Sequence, residues 1–225
     1  MAVALIVAAG RGERLGSGRP KALVPLCGRP MLEWSIAALQ AVPAVTQIVV
    51  ALPSDELEAA PAGTLAVPGG LQRSHSVRNA LAACTGDDVV IVHDAARPLA
   101  TPQLFEQALL ELDRHPEASA VIAAAPVADT IKEVGADGAT VARTLDRSRL
   151  WAVQTPQVFR RAALEGVLTT ASDDELARAT DDAWLVERAG GIVRVLGADP
   201  GNMKITTPAD LRVAELLLAE ARTAG

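Results

Sequence analysis

The stretch Ala2-Val3-Ala4-Leu5-Ile6-Val7-Ala8-Ala9-Gly10-Arg11-Gly12-Glu13-Arg14-Leu15-Gly16-Ser17-Gly18-Arg19-Pro20-Lys21 joins two unlike halves. Its first eight residues are continuously apolar, as a strand covered on both faces should be. The remainder is a glycine-rich loop with four cations and one acid. Similar apolar runs recur at 47–52, 89–93, 120–125 and 192–196. Between them, helix-like apolar spacing marks 31–42, 76–84, 102–115, 161–170, 181–189 and 208–221. In the last, Thr207 is placed to cap and Pro208 suits the first helical position. Such alternation predicts an α/β fold, a mostly parallel twisted sheet with right-handed crossovers and helices on both faces. In such sheets ligands bind beyond the carboxyl ends of the strands. One stretch, 127–157, breaks the rhythm. Its weak strands at 130–134 and 140–145 flank Gly135-Ala136-Asp137-Gly138, a hairpin signal, and predict a projecting β-arm.

Composition narrows the function. The 225 residues are 50% hydrophobic and 21% charged, which excludes disorder and suits one domain over 1–225. A net charge of −6 and only five aromatic residues (three Trp, two Phe) exclude the basic, stacking footprint of a nucleic-acid binder. The opening apolar run is far short of the ~20 residues that span a bilayer and has no basic start, so it predicts a buried strand, with no membrane partner. Cys27 and Cys84 lack metal-ligand spacing and read as buried thiols in a reducing cytoplasm.

The loop after the first strand suits a polyphosphate. Glycines turn the backbone and expose its N–H groups, while Arg11, Arg14, Arg19 and Lys21 can neutralise oxygens. Its spacing is neither the dinucleotide fingerprint nor a P-loop, and the alternative is a surface loop with solvated charges. The second cluster is Val89-Val90-Ile91-Val92-His93-Asp94-Ala95-Ala96-Arg97-Pro98. Asp94, ending a buried strand, is placed to hold Mg²⁺, which often takes one or two protein carboxylates and completes its shell with phosphates and water. The alternative is a turn in which Arg97 pairs with Asp94. His93 reads as a hydrogen-bonded packing residue. Three weaker segments remain: the glycine turn Gly69-Gly70-Leu71-Gln72-Arg73-Ser74-His75-Ser76 entering a helix, Thr180-Asp181-Asp182 as a cap with first-turn acids, and Asn202-Met203-Lys204-Ile205-Thr206 before the final helix.

In this order the segments closely resemble the 2-C-methyl-D-erythritol 4-phosphate cytidylyltransferase family. The resemblance also rests on Val127-Ala128-Asp129-Thr130-Ile131-Lys132, Asp146-Arg147 and Leu150-Trp151-Ala152-Val153-Gln154-Thr155-Pro156-Gln157, and it runs over essentially the whole chain. It implies a Rossmann-like nucleotidyltransferase domain that uses CTP, a sugar-alcohol phosphate and Mg²⁺, and a homodimer whose β-arms exchange. Carried onto matching positions, Arg14, Lys21 and Lys204 are the catalytic cations. Ala8, Ala9, Gly10, Gly12, Gly70, Ser76, Asp94 and Ala95 bind the nucleotide, with Asp94 on the metal and Asp199 a second candidate. Arg97, Thr130, Arg147, Thr180 and Lys204 hold the acceptor phosphate.

The implied chemistry agrees with elementary electrostatics. A phosphate monoester has a second pKa of about 6, so near neutral pH it is already an anion and needs no general base. The obstacle is repulsion between anions, which cations relieve. The rival readings are a nucleotidyltransferase for another polyol or sugar phosphate such as ribitol 5-phosphate, a nicotinamide-dependent dehydrogenase, and a non-catalytic nucleotide-binding module. Misspaced glycines and the absence of an acid at the end of the second strand speak against the dehydrogenase.

Overall fold

The computed structural model describes residues 1–223, with side chains described to 220; the last two residues of the expected domain lie outside it. The strands are β1 (Ala2–Val7), β2 (Pro25–Leu26), β3 (Arg29–Pro30), β4 (Val45–Leu52), β5 (Leu65–Pro68), β6 (Val89–Asp94), β7 (Ala120–Pro126), β8 (Lys132–Val134), β9 (Val141–Thr144), β10 (Trp151–Arg160) and β11 (Val193–Gly197). The helices are α1 (Met31–Gln40), α2 (Arg73–Ala83), α3 (Pro102–Arg114), α4 (Arg161–Thr170), α5 (Asp173–Arg178), α6 (Asp182–Arg188) and α7 (Pro208–Thr223). A seven-stranded sheet runs β11-β7-β10-β6-β1-β4-β5. β1 is parallel to β4 and β6, and β11 to β7, whereas β10 is antiparallel to both neighbours. The predicted mostly parallel sheet is thus present, with one reversed strand near its centre.

Alternation along β1 explains the layers. Ala2, Ala4 and Ile6 face one core with Leu32, Ile36 and Leu39 of α1 and Phe105, Ala108 and Leu112 of α3. Val3 and Leu5 face the other, with Val77, Ala80 and Leu81 of α2 and residues of α4, α5 and α6. Both faces are covered, so these strands read as continuous apolar runs. A third, smaller cluster holds Leu15, Val24, Leu26, Met31, Ile205 and Ala214, and so binds the glycine loop to α7. Among the described residues no helix is long and apolar enough to cross a membrane.

Several expectations need correction. Trp151–Arg160 belongs to the main sheet, so the expected arm over 127–157 shortens to a ribbon ending near Leu150, in which β8 pairs with β9. Polar residues in the buried half of β10 hide its strand character. Helix α2 starts at Arg73 rather than Ser76, with Gln72 and His75 forming a reciprocal cap. Asp181, not Thr180, caps α6, its carboxylate accepting from Trp184 N at 2.8 Å. Cys84 is buried, but Cys27 is only partly so, in a left-handed turn with φ 51°.

Candidate active site

The loop after β1 folds back on itself. Lys21 N donates to Gly10 O at 3.0 Å, closing the loop. At Gly12, φ is 68° and a Cβ would stand 2.8 Å from the Cβ of Lys21, so only glycine allows this closure. Leu15, buried in the third cluster, pins the loop between Arg14 and Lys21. A second glycine turn faces it. A Cβ on Gly70 would lie 2.2 Å from that of His75, and Ser76 Oγ accepts from Gly70 N at 3.1 Å. The Ser76 hydroxyl is therefore buried and braces the turn.

Between these turns, beyond the carboxyl ends of β1 and β6, lies an open cleft of about 570 Å³. Ala8, Ala9, Gly10 and Gly12 line it from the first loop, Gly70 and Ser76 from the second, and Asp94 with Ala95 from the end of β6. Arg14, Lys21 and Lys204 line it as well, so residues from both ends of the chain converge there. Lys204 is placed by its neighbours. Ile205 N donates to Ala96 O at 2.8 Å, and Asn202 Nδ2 donates to Gln154 Oε1 at 2.8 Å and Thr155 O at 2.9 Å.

Asp94 is the electrostatic centre. Lys204 Nζ lies 2.7 Å from its Oδ2 and Arg73 Nε 3.0 Å from its Oδ1. Burial works against the ionised carboxylate, but Arg73 and Lys204 hold its pKa far below the usual range. Lys21 is the reverse case. Burial, then Lys204, lowers its ammonium from 10.5 to about 8. Among the described residues no ion pair or side-chain hydrogen bond engages Lys21 or Arg14. Unpaired cations beside a neutralised carboxylate make the cleft attractive to a polyanion. Behind Asp94, His93 is fully buried, with Nδ1 3.0 Å from Thr155 Oγ1 and its ring edge-on to Phe105. Burial lowers its pKa from 6.5 to about 4, so it is a neutral packing group.

A second cleft of about 260 Å³ adjoins the first and shares Arg73, Asp94 and Lys204 with it. Arg97 and Thr180 line this smaller cleft. Arg97 does not pair with Asp94 through its side chain. Its Nη1 donates to Asn202 O at 2.7 Å and its Nη2 to Val153 O at 3.2 Å. Thr130 and Arg147 are exposed on the ribbon and line neither cleft; Arg147 donates to Ala128 O. Asp199 also lies outside both, its Oδ1 accepting from Gly201 N at 2.6 Å, so the chain does not bring it to Asp94 as a second ligand.

Arg73 stands in the glycine-turn segment that carries the resemblance, but the sequence assigns it no role, because the helix is expected to begin only at Ser76. Gln154, Thr155, Gln157 and Asn202 were likewise unassigned, yet all are buried and all but Asn202 line the smaller cleft. The polar character of 154–157 inside an otherwise apolar sheet was the available signal.

The donor set fits a hard divalent cation that brings its own phosphates. Asp94 offers a single ionised carboxylate at the junction of the clefts, and no cluster of three His, Cys, Asp or Glu ligands exists among the described residues. Mg²⁺ needs no more than one or two such carboxylates when a substrate supplies phosphate oxygens.

Comparison with known proteins agrees. A family model described as 2-C-methyl-D-erythritol 4-phosphate cytidylyltransferase matches residues 2–220. The enzyme of that name from Frankia casuarinae is 49% identical over 222 residues, covering 96% of this chain and 80% of that protein. The one from Symbiobacterium thermophilum is 46% identical, covering 96% and 92%. The crystal structure of the Thermus thermophilus enzyme of that name superposes with a TM-score of 0.78 at 32% identity, covering 96% and 98%. The 4-diphosphocytidyl-2C-methyl-D-erythritol synthase of Anaerococcus prevotii superposes with a TM-score of 0.82 at 28% identity, covering 97% and 98%.

Proposed function

The chain belongs to the 2-C-methyl-D-erythritol 4-phosphate cytidylyltransferase family, and we propose that Arg14, Lys21 and Lys204 are the groups with which it performs that family's reaction. It transfers the cytidylyl group of CTP to 2-C-methyl-D-erythritol 4-phosphate, in the non-mevalonate route to isoprenoid precursors. The products are 4-diphosphocytidyl-2-C-methyl-D-erythritol and pyrophosphate. An oxygen of the acceptor monoester forms a bond to the α-phosphorus of CTP. The α–β anhydride bond breaks, and pyrophosphate leaves with the electron pair.

One observation carries the assignment of roles: two clefts meet at a shared wall of Arg73, Asp94 and Lys204. The larger takes the nucleotide, with Ala8, Ala9, Gly10, Gly70, Ser76 and Ala95 against cytosine and ribose. Arg14 and Lys21 hold the triphosphate and receive the charge that builds on the α-phosphoryl and leaving groups. The smaller takes the acceptor phosphate beside Thr180 and Arg97. Lys204, common to both, draws the two anions together and aligns them for in-line attack. Asp94 would hold Mg²⁺, which when bound supplies charge neutralisation on the phosphate oxygens.

Thr130 and Arg147 serve the acceptor from another copy: the chain works as a homodimer in which each ribbon of 127–150 closes the partner's smaller cleft. Val134, Val141, Trp151 and Val153, all exposed on and beside the ribbon, supply apolar surface for that contact. The chain is one catalytic domain bearing this arm. Its two free thiols suit a reducing cytoplasm.

The test is pyrophosphate release from CTP, Mg²⁺ and 2-C-methyl-D-erythritol 4-phosphate. Release should stop when any one is omitted. Faster turnover with ribitol 5-phosphate would transfer the assignment to that acceptor, which the family match does not favour.

A further inference from the structure

The central carboxylate has a neighbour that no role above uses. Arg73 opens α2, and its guanidinium forks between two acids: Nε binds Asp94 Oδ1 at 3.0 Å and Nη1 binds Asp182 Oδ2. Asp182 is fully buried on the first turn of α6, and its Oδ1 has no hydrogen-bond partner. Among the described residues Arg73 is its only cationic partner within salt-bridge distance. Withdrawing a guanidinium from a buried carboxylate leaves an uncompensated charge in a poorly solvated site, so the pair holds Arg73 in place. A planar fork suits this bridging task, and an ammonium does not.

The two oxygens of Asp94 thus have unlike partners. Oδ1 faces Arg73, whose side chain is 20% exposed and anchored from behind. Oδ2 faces Lys204, whose side chain is 43% exposed on a long flexible stem. All three residues stand in the wall between the clefts. We propose that Arg73, anchored by Asp182, is a positioning residue: it fixes Asp94 through Oδ1, so that Oδ2 is the oxygen exchanged between Lys204 and the divalent cation that enters with the triphosphate. With the cation on Oδ2, the Lys204 ammonium would be free for the reacting phosphates. Each oxygen of Asp94 would thus keep a cationic partner, Arg73 on Oδ1 and, in turn, Lys204 or the divalent cation on Oδ2. The inference rests on the cytidylyl-transfer reading and adds to it a residue that acts through Asp94.

The test uses R73Q, R73K, D182N and the double variant R73Q/D182N, with Mn²⁺ as the probe cation in the presence of CTP. R73Q should lower kcat about a hundredfold with KM for CTP changed by less than about threefold. It should still bind Mn²⁺ but with an altered electron paramagnetic resonance spectrum. D182N should reproduce both effects, and the double variant should be no worse than either single change, since the two residues act as one unit. R73K should recover about a tenth of wild-type kcat, because it restores charge without the fork. D182N leaves Arg73 half-compensated and can impair folding; the double variant removes both charges and then decides.

A folded R73Q or double variant with kcat within about threefold of wild type overturns the proposal. So does a large kcat loss with the wild-type Mn²⁺ spectrum, since Asp94 would then be in place without Arg73. Failure of the wild-type chain to release pyrophosphate overturns instead the reading on which the proposal rests, so the two failures are distinguishable.

Discussion

Arg97 and Thr180 line the smaller cleft, while Thr130 and Arg147, expected to grip the same acceptor phosphate, stand exposed on the ribbon and line neither cleft. The first pair is placed by the fold itself. Arg97 is 9% exposed and clamped between two backbone carbonyls, one from the Lys204 loop and one from β10. The second pair has no such frame: β8 and β9 are exposed along their whole length and, among the described residues, pair only with each other. A two-stranded ribbon is marginal on its own in water. The cations proposed for the nucleotide all line the larger cleft within one chain, whereas Thr130 and Arg147 reach neither cleft, which is why we propose that a second copy supplies them.

The largest expected effect lies in the nucleotide half. Lys21→Ala or Arg14→Ala should lower kcat at least about a thousandfold, equivalent to ~4 kcal/mol of transition-state stabilisation. Melting temperature should change little, because neither side chain makes an ion pair among the described residues that the fold would lose. Near-normal turnover in either variant removes that residue from the mechanism. The pH profile gives a second check. In the proposed role Lys21 acts as the ammonium, and its pKa is lowered to about 8, so kcat/KM for CTP should fall as pH rises above 8. Arginine does not titrate in this range, so Lys21→Arg should remove that alkaline limb from whatever activity remains.

The floor beneath this half should respond to acid. His93 is fully buried with its pKa lowered from 6.5 to about 4. Between those values the unfolded chain takes up a proton that the folded chain refuses, so stability is intact above pH 6.5 and is lost as pH falls toward 4. A shift of this size corresponds to about 3 kcal/mol. Urea titrations across this window should show the loss, and His93→Gln should flatten it; an equal loss in His93→Gln would assign the acid sensitivity elsewhere.

The two halves also differ in how far the sequence disclosed them. β1, β4, β6 and β7 were readable because both faces of each are covered and every residue must be apolar. β10 was not, although it lies next to β6 in the same sheet. Its Thr155 supports His93, its Gln154 holds Asn202, and its Gln157 donates to Asp181. Those duties need polar side chains, which erase the apolar run by which a strand is recognised. Arg73 and Asp182 were hidden for a related reason. Arg73 reads as part of a glycine turn and Asp182 as an ordinary first-turn acid, and only tertiary packing brings α2, α6 and the end of β6 together around Asp94. Lys204, by contrast, sits in a motif specific enough for resemblance to expose it before any contact is known, and Lys21 in a glycine-rich loop whose cations already suit a polyphosphate.

A change of intermediate size tests the acceptor half. Arg147→Ala should raise KM for 2-C-methyl-D-erythritol 4-phosphate about tenfold and KM for CTP much less. Mixing sharpens the comparison. Lys21→Ala chains retain an intact ribbon, and Arg147→Ala chains retain an intact nucleotide half. If ribbons cross between copies, each mixed dimer contains one fully wild-type site. After subunit exchange at low acceptor concentration, activity should approach about a quarter of wild type, since half the dimers are mixed and half their sites intact. Activity that stays at the sum of the two separate variants would place Arg147 in its own chain's site or in none.

The smallest effect belongs to the ribbon's own structure. Arg143 Nε lies 2.6 Å from Glu133 Oε2 across β8 and β9, with side chains 68% and 48% exposed. A pair so solvated gains little Coulomb energy and orders two long side chains, so its net worth is ~0–1 kcal/mol. Arg143→Ala should therefore leave the chain's global stability unchanged within ~0.5 kcal/mol, and kcat with it. A larger loss, growing with dilution of the protein, would mean that this face of the ribbon is covered in the assembled dimer. The pair would then report on the interface, since a partner that excludes water is what turns an exposed ion pair into a consequential one.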